Sequence, residues 1–261
     1  MNTLKKILRL LYTAWALFLF ILFVLTCYFY AVFKYWQKGK RAFFELFELY
    51  QWWSNTWMKL TRMKLEVEGS EYFNLRKDYI MVGNHSSSLD IFAMASSVPI
   101  PFKALAKKEL QDVPVMGFLF KTGCIHVDRN NPESRRKSIE EVKVELALGY
   151  SILIMPEGTR NKTSKPLGEF KDGAFRIAIE TQTPILPFVI LNVRMLMPYP
   201  LNIIQGPGTI RVKYLPPVDV IGLTDEDIPN LKQNIYAMIE KILLKEDPFF
   251  QNSKNILQSA Q

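Results

Sequence analysis

"DYIMVGNHSSSLDIFAMASS", Asp78–Ser97, sets an apolar run before a Gly–Asn turn and a helix-forming segment after it. "DYIMVGN" reads as a strand ending at Gly83–Asn84, and "LDIFAMASS" as a helix. His85, one of two histidines in the chain, then stands on the turn at the strand's C-terminal end. In open α/β sheets ligands bind at that edge. The same punctuation recurs along the chain. Short β-rich runs, "KLEVEG", "FKALAK", "GCIHVDR", "SILIMPEG", "PILPFVIL" and "GTIRVKYL", are interspersed with helical patterns. These helices cover Glu133–Leu148, closed by Gly149 as a C-cap, Ala174–Thr181 and Asp225–Leu244. The alternation predicts an α/β fold, a mostly parallel central sheet flanked by helices.

The chain has 261 residues, 49% of them apolar, enough for one sizeable α/β core. Its net charge of +8 calls for an anionic partner: nucleic acid, a membrane surface or a phosphate-bearing substrate. Two scattered cysteines, Cys27 and Cys124, make no disulfide framework and suit a reducing compartment. Nothing has zinc-site spacing, and no Gly-rich phosphate loop is present. The body carries no basic run interleaved with aromatics, which argues against nucleic acid.

The N-terminus favours the membrane. Leu10–Phe33, "LLYTAWALFLFILFVLTCYFYAVF", contains no charge. As a helix it is roughly 36 Å long, against a hydrocarbon core of about 30 Å. It is too long for a signal peptide and no small-residue cleavage site follows it. Basic residues flank both ends, so the charge rule leaves open whether it spans the bilayer or dips into one leaflet. In the next stretch Arg41, Glu45, Glu48, Gln51, Asn55, Lys59 and Arg62 share one helical face, opposite Phe43, Phe47, Tyr50, Trp53 and Trp57. An aromatic face of that kind predicts a second helix lying in the membrane interface, packing on the protein's own core being the alternative. The expected organisation is a two-helix membrane anchor at 1–62, an α/β domain at 63–250 and a polar tail at 251–261.

Three clusters carry chemistry. In the first, His85, Ser86–Ser88 and Asp90 suggest a hydrolase triad, a histidine–carboxylate pair or a simple helix start. Ser87-x-x-Asp90 fits a capping box with Ser87 as N-cap. A triad on an α/β sheet needs a G-x-S-x-G elbow, which this chain lacks. A pair in which Asp90 fixes the His85 tautomer leaves the other ring nitrogen as a general base, and the substrate must then bring the nucleophile. In the second, a strand runs into Glu157, Gly158, Thr159 and Arg160. Arg160 has the planar fork that binds phosphate, and Glu157 would orient it or contact a substrate hydroxyl. In the third, Lys107, Lys108 and Arg129 add positive charge near the same edge, while His126, between Ile125 and Val127, reads as a packed strand residue.

Together these residues resemble the lysophospholipid and glycerolipid acyltransferases. Asn84-His85-x4-Asp90 resembles their N-H-x4-D motif. "AKKEL" with "GCIHVDR" resembles the second motif, "PEGTR" at Pro156–Arg160 the third and "TPILPFVI" the fourth, in order over 63–215. The bacterial 1-acyl-glycerol-3-phosphate acyltransferases are the most similar subgroup. The resemblance implies His85 as general base oriented by Asp90. It implies acceptor and phosphate binding by Lys107, Arg129, Glu157, Gly158, Thr159 and Arg160, and a place for Asn84 and Pro187 on the acyl side. His126 stands where the family commonly has an aromatic. No metal or cofactor is implied. The donor would be acyl-CoA or acyl-carrier protein, the acceptor lysophosphatidic acid, and the product phosphatidic acid. The implied setting is the cytoplasmic face of a bacterial inner membrane, with the phospholipid bilayer as partner and no nucleic acid. The sequons at Asn84 and Asn161 are then chance matches. Another lysolipid, such as a lyso-ornithine lipid, or glycerol 3-phosphate remains an alternative acceptor. Further alternatives are a membrane-bound serine hydrolase and a non-catalytic binding protein.

Overall fold

The structure, a computed structural model, describes residues 3–38, 43–128 and 131–251. Seven strands form one sheet: β1 (Lys64–Glu68), β2 (Ile80–Gly83), β3 (Phe102–Lys107), β4 (Cys124–Val127), β5 (Ser151–Ile154), β6 (Ile185–Leu191) and β7 (Thr209–Tyr214). Their order is β1-β7-β6-β2-β5-β3-β4. All neighbours are parallel except β6 and β7, so β1 and β7 run against the other five. Among the described residues eight helices accompany them: α1 (Thr3–Lys38), α2 (Phe43–Leu60), α3 (Asp90–Ser97), α4 (Met116–Gly123), α5 (Pro132–Ala147), α6 (Gly173–Thr181), α7 (Val193–Leu196) and α8 (Ile228–Glu246).

The central strands β2, β5 and β6 are buried along their whole length, as their unbroken apolar runs require of a sheet covered on both faces. On one face Met81, Leu153 and Phe188 pack with Trp57 of α2 and Phe92 and Met94 of α3. On the other, Ile80, Ile152 and Val189 pack with Val142 of α5, Phe175 of α6 and Ile235 of α8. The exposed edge strand β1 is charged rather than apolar. Its Glu68 pairs with Arg211 (2.6 Å) and Lys213 (3.1 Å) of β7, a composition that discourages edge-to-edge association.

All seven strands stand where the apolar runs predict them, as do α3, α5 and α6. The pattern assigned to Asp225–Leu244 begins instead at Ile228, after a short 3-10 turn. The sequence pattern gave no separate indication of α4 or α7.

The aromatic face of α2 has a different partner from the one expected. Phe47, Trp53 and Trp57 are buried inside the protein rather than left free for a lipid interface. Trp57 stacks on Phe92 at 3.8 Å between ring centres, and its indole N–H donates to the Ala16 carbonyl of α1 (2.9 Å). Lateral anchoring therefore ties α1 to the body. The Tyr12 hydroxyl donates to Thr61 O (2.6 Å), and Ala16 and Leu19 join the core. Val24, Cys27 and Ala31 are buried as well, while a broad apolar surface of α1 remains exposed, including Leu11, Trp15, Phe18, Leu22, Leu25 and Phe29. By length and composition α1 is able to cross a bilayer.

Candidate active site

The end of β2 is locked by the side chain that follows it. Asn84, 1% exposed, donates its amide to Ile190 O (2.9 Å) and accepts from Ile190 N–H (2.8 Å), extending the β2–β6 ladder by one rung. Gly83 is required one residue earlier, because a Cβ there would lie 2.3 Å from the Phe188 ring. His85 is thus the first residue beyond the sheet. Its backbone N–H donates to Glu157 Oε1 (2.9 Å) and its carbonyl accepts from Asn161 N–H (2.7 Å).

His85 Nδ1 lies 2.8 Å from Asp90 Oδ2. The same oxygen accepts the backbone N–H groups of Ser86 (2.9 Å) and Ser87 (3.0 Å). With three donors converging on one carboxylate oxygen, Nδ1 carries the proton and Nε2 presents its lone pair. The Asp90 side chain is 1% exposed and the His85 side chain 26% exposed, so the pair points from a dry anchor toward an accessible face.

This arrangement corrects the capping box. The N-cap of α3 is Leu89, without a side-chain bond, and Asp90 is the first helical residue. Ser87 Oγ accepts from Leu89 N–H (3.2 Å), so only the half of the box in which the acid reaches back to Ser87 N–H survives. The triad fares no better. Among the described residues no serine hydrogen-bonds the His85 ring. Ser86 Oγ accepts from Arg194 Nε (3.3 Å) and Ser88 Oγ from Arg160 (2.8 Å).

Glu157, after β5, is buried, and its two oxygens serve two backbone segments: Oε1 the His85 N–H and Oε2 the Gly168 N–H (2.6 Å). A Cβ at residue 168 would lie 2.8 Å from Oε2, so the approach needs a glycine. Burial pushes the Glu157 carboxyl above the ordinary range, against the pull of these N–H donors. The expected contact to Arg160 is absent, since both oxygens are engaged elsewhere. Arg160 instead reaches the first motif through Ser88.

Sequence reasoning missed Arg194, at the start of α7. It is buried, and its guanidinium donates to the carbonyls of Thr163 (2.7 Å), Lys165 (3.2 Å) and Pro166 (3.4 Å) as well as to Ser86. Phe249 and Phe250 lie beside it at 5.4 and 5.2 Å. Desolvation lowers its pKa, opposed by Glu157, Asp247 and Asp90. One arginine therefore joins the His85 turn to the loop after Arg160. The only hint in sequence is that Arg194 is the first charge after the long apolar run of β6, three residues past its end.

The other expected residues scatter. Lys107 ends β3, exposed and paired with Glu109 (2.8 Å). Arg129 lies outside the described residues. Pro187 is buried in β6 opposite Val82 of β2. His126 sits in β4, where desolvation lowers its pKa. Gly158, at φ +75°, makes the turn that leaves Thr159 exposed. A cavity of about 1180 Å³ reaches Glu157, Gly158 and Thr159 from the α5–α6 side, lined also by Ile139, Arg136 and Arg176.

A family model described as Acyltransferase matches residues 64–191, which hold His85, Asp90 and Glu157–Arg160. The chain is 33% identical over 175 residues to 1-acyl-sn-glycerol-3-phosphate acyltransferase alpha of Mus musculus, covering 66% of this chain and 61% of that one. It is 30% identical over 198 residues to a putative 1-acyl-sn-glycerol-3-phosphate acyltransferase, acl-2, of Caenorhabditis elegans, covering 75% and 68%. The match thus spans about three fifths of the mouse relative. In fold, the chain is similar to the crystal structure of the 1-acyl-sn-glycerophosphate acyltransferase PlsC from Thermotoga maritima. The TM-score is 0.76 at 23% identity, over 92% of this chain and 97% of that one.

Proposed function

Since the chain belongs to the acyltransferase family, we propose that it acylates the 2-hydroxyl of a 1-acyl-glycerol-3-phosphate, giving phosphatidic acid. The observation that carries this reading is the His85–Asp90 pair, built with no serine among the described residues on the imidazole. Such a base serves a nucleophile delivered by the substrate. His85 Nε2 removes the hydroxyl proton as the oxygen attacks the thioester carbonyl. The C–O bond forms, the C–S bond breaks, and the imidazolium returns the proton to the departing thiolate. General-base help of this kind contributes typically ~10²–10⁴-fold.

Asp90 stabilises the imidazolium, and two backbone N–H groups hold Asp90 in turn. Glu157 acts through backbone, fixing His85 against the Gly168 loop, and so supports acceptor binding without touching the acceptor. Arg160, hydrogen-bonded to Ser88, would take the acceptor phosphate with its remaining donors. Lys107, exposed at the end of β3, would add positive charge, and Arg129 keeps the phosphate-binding role that the resemblance implies. The lipid reaches the site along α1, whose exposed apolar surface supports membrane association, with the body on the cytoplasmic side. The donor is a thioester of coenzyme A or acyl carrier protein. The cavity behind the Pro156–Thr159 turn, on the sheet face away from α1, offers room for the pantetheine arm that both carriers share.

The test is an assay of the purified chain against a panel of lysolipids with both donors, beside His85→Ala. Acyl transfer to lysophosphatidic acid that falls at least ~10²-fold in the variant is expected. Near-normal turnover in His85→Ala removes the mechanism, and preference for an acceptor without phosphate removes the role of Arg160.

A further inference from the structure

Tyr199 and Leu201 stand at the tip of the loop after α7, 53% and 70% exposed, with Met195 exposed at its base. The tip is well braced. Asn202 N–H donates to Pro198 O (3.1 Å), the Asn202 amide to Pro200 O (3.1 Å) and Gln205 N–H to Leu196 O (2.8 Å). Met197 and Ile204 bracket it, both buried in the core shared with α1, α2 and α3. A fold that fixes its backbone so firmly while leaving a tyrosine and a leucine exposed presents an apolar wedge.

Its two neighbours say what covers it. On one side Ile204 N–H donates to Thr13 Oγ1 of α1 (3.0 Å), within a stretch where Leu10, Leu11 and Leu17 are exposed. The wedge is therefore continuous with the apolar surface of the membrane helix. On the other side Lys162, two residues after Arg160, holds its Nζ 5.0 Å from the centre of the Tyr199 ring. Tyrosine is enriched at the headgroup level, and lysine near an anionic leaflet is favoured electrostatically.

We propose that the Tyr199–Leu201 tip, with Lys162 beside it, is a second bilayer contact that seats the candidate active site on an anionic lipid surface. The contact stands whatever reaction the site performs. Its value for catalysis rests on the acyl-transfer reading, since the wedge connects the lipid helix to the loop carrying Arg160.

Two measurements on the full-length chain separate the claims. A nitrobenzoxadiazole label on Leu201→Cys, read against labelled wild type for Cys27 and Cys124, should brighten and shift to the blue with phosphatidylglycerol vesicles. The response should be weaker with phosphatidylcholine vesicles. The same label on Ile221→Cys, exposed in the turn before α8, should not respond. No lipid response at residue 201, or an equal one at 221, overturns the contact. A shift that appears on concentrating the protein in detergent alone assigns the tip to a second copy of the chain and overturns it too. Kinetically, Leu201→Asp should raise the apparent KM for a vesicle-borne acceptor about tenfold or more, leaving kcat on a dispersed short-chain acceptor unchanged. Ile221→Asp should alter neither, and equal behaviour of the two aspartates refutes a role in substrate capture. Lys162→Ala should remove the preference for anionic vesicles, and a preference that survives refutes the assignment of Lys162.

Discussion

Asp90→Asn asks more of the structure than deletion of the carboxylate does. Asparagine has two orientations, one with its carbonyl toward His85 and one with its NH2. In many histidine–carboxylate pairs the second orientation forces the wrong tautomer. Here the Ser86 and Ser87 N–H groups also point at Oδ2, so only the carbonyl fits that position and Nδ1–H is retained. The loss is then electrostatic. With charge centres about 4 Å apart and an effective dielectric of ~20, the carboxylate stabilises an imidazolium by roughly 4 kcal/mol. The His85 side chain is 26% exposed, and a discount of about half for solvent leaves ~2 kcal/mol, or roughly 30-fold in kcat. The amide NH2 must occupy the place of Oδ1, which is buried and has no hydrogen-bond partner among the described residues. That costs about 1–3 kcal/mol of stability. Asp90→Ala, by contrast, strands three donors at once and releases the tautomer, so kcat should fall by ~10²–10⁴. Steady-state acyl transfer and thermal melting in detergent report both quantities. An Asn variant as inactive as Ala would show that the two backbone N–H groups do not set the amide's orientation. Undiminished turnover in the Asn variant would remove Asp90 from the mechanism.

Arg194→Met should cost about 3–5 kcal/mol, because Glu157 and Asp247 lose the cation they face, and should depress kcat with the melting temperature. Arg194→Lys keeps the charge without the fork, so it should restore part of the stability but little of the activity, and equal recovery of both would refute a positioning role. Burial raises the carboxyls of Glu157 and Asp247 in the fold. From about pH 4 up to those raised values the unfolded chain has released protons that the folded chain still holds. Stability should therefore fall as pH rises through that window and level off above it. Melting curves of Asp247→Asn should show a shallower slope there, and an unchanged slope would refute the assignment. Trp57→Ala should destabilise by ~3–5 kcal/mol, and Trp57→Phe by less, since Phe keeps the stack on Phe92 and loses only the N–H bond to Ala16. Equal losses would mean that the indole hydrogen bond to α1, and not the stack on Phe92 of α3, carries the contribution of Trp57.

What sequence made legible follows the range of the forces involved. Each strand is a local apolar run bounded by turn residues, so β1 to β7 were readable one at a time, and His85 fell at a strand end for the same reason. The amphipathic face of α2 was readable too, but periodicity says which face is apolar and not what meets it. The burial of Trp57 against Phe92 is a contact across 35 residues. Arg194 lay further out of reach: its bond to Ser86 spans 108 positions. The capping box shows the opposite limit. Its residue spacing was correct, yet the Asp90 carboxylate was claimed by the histidine as well as by the turn, and helix α3 started later as a result.

The side chain of Asn84 reads both the N–H and the C=O of one residue, Ile190. Those two groups alternate direction along a strand, so a slip of β2 against β6 by one position would offer the amide nothing it can bind. The slip would also turn His85 to the other face of the sheet. The amide thus works as a proofreader of strand alignment, placed one residue before the base it protects. Misaligned chains should consequently be lost as unfolded protein rather than persist as folded, sluggish enzyme, and activity per folded molecule should be nearly uniform across a preparation.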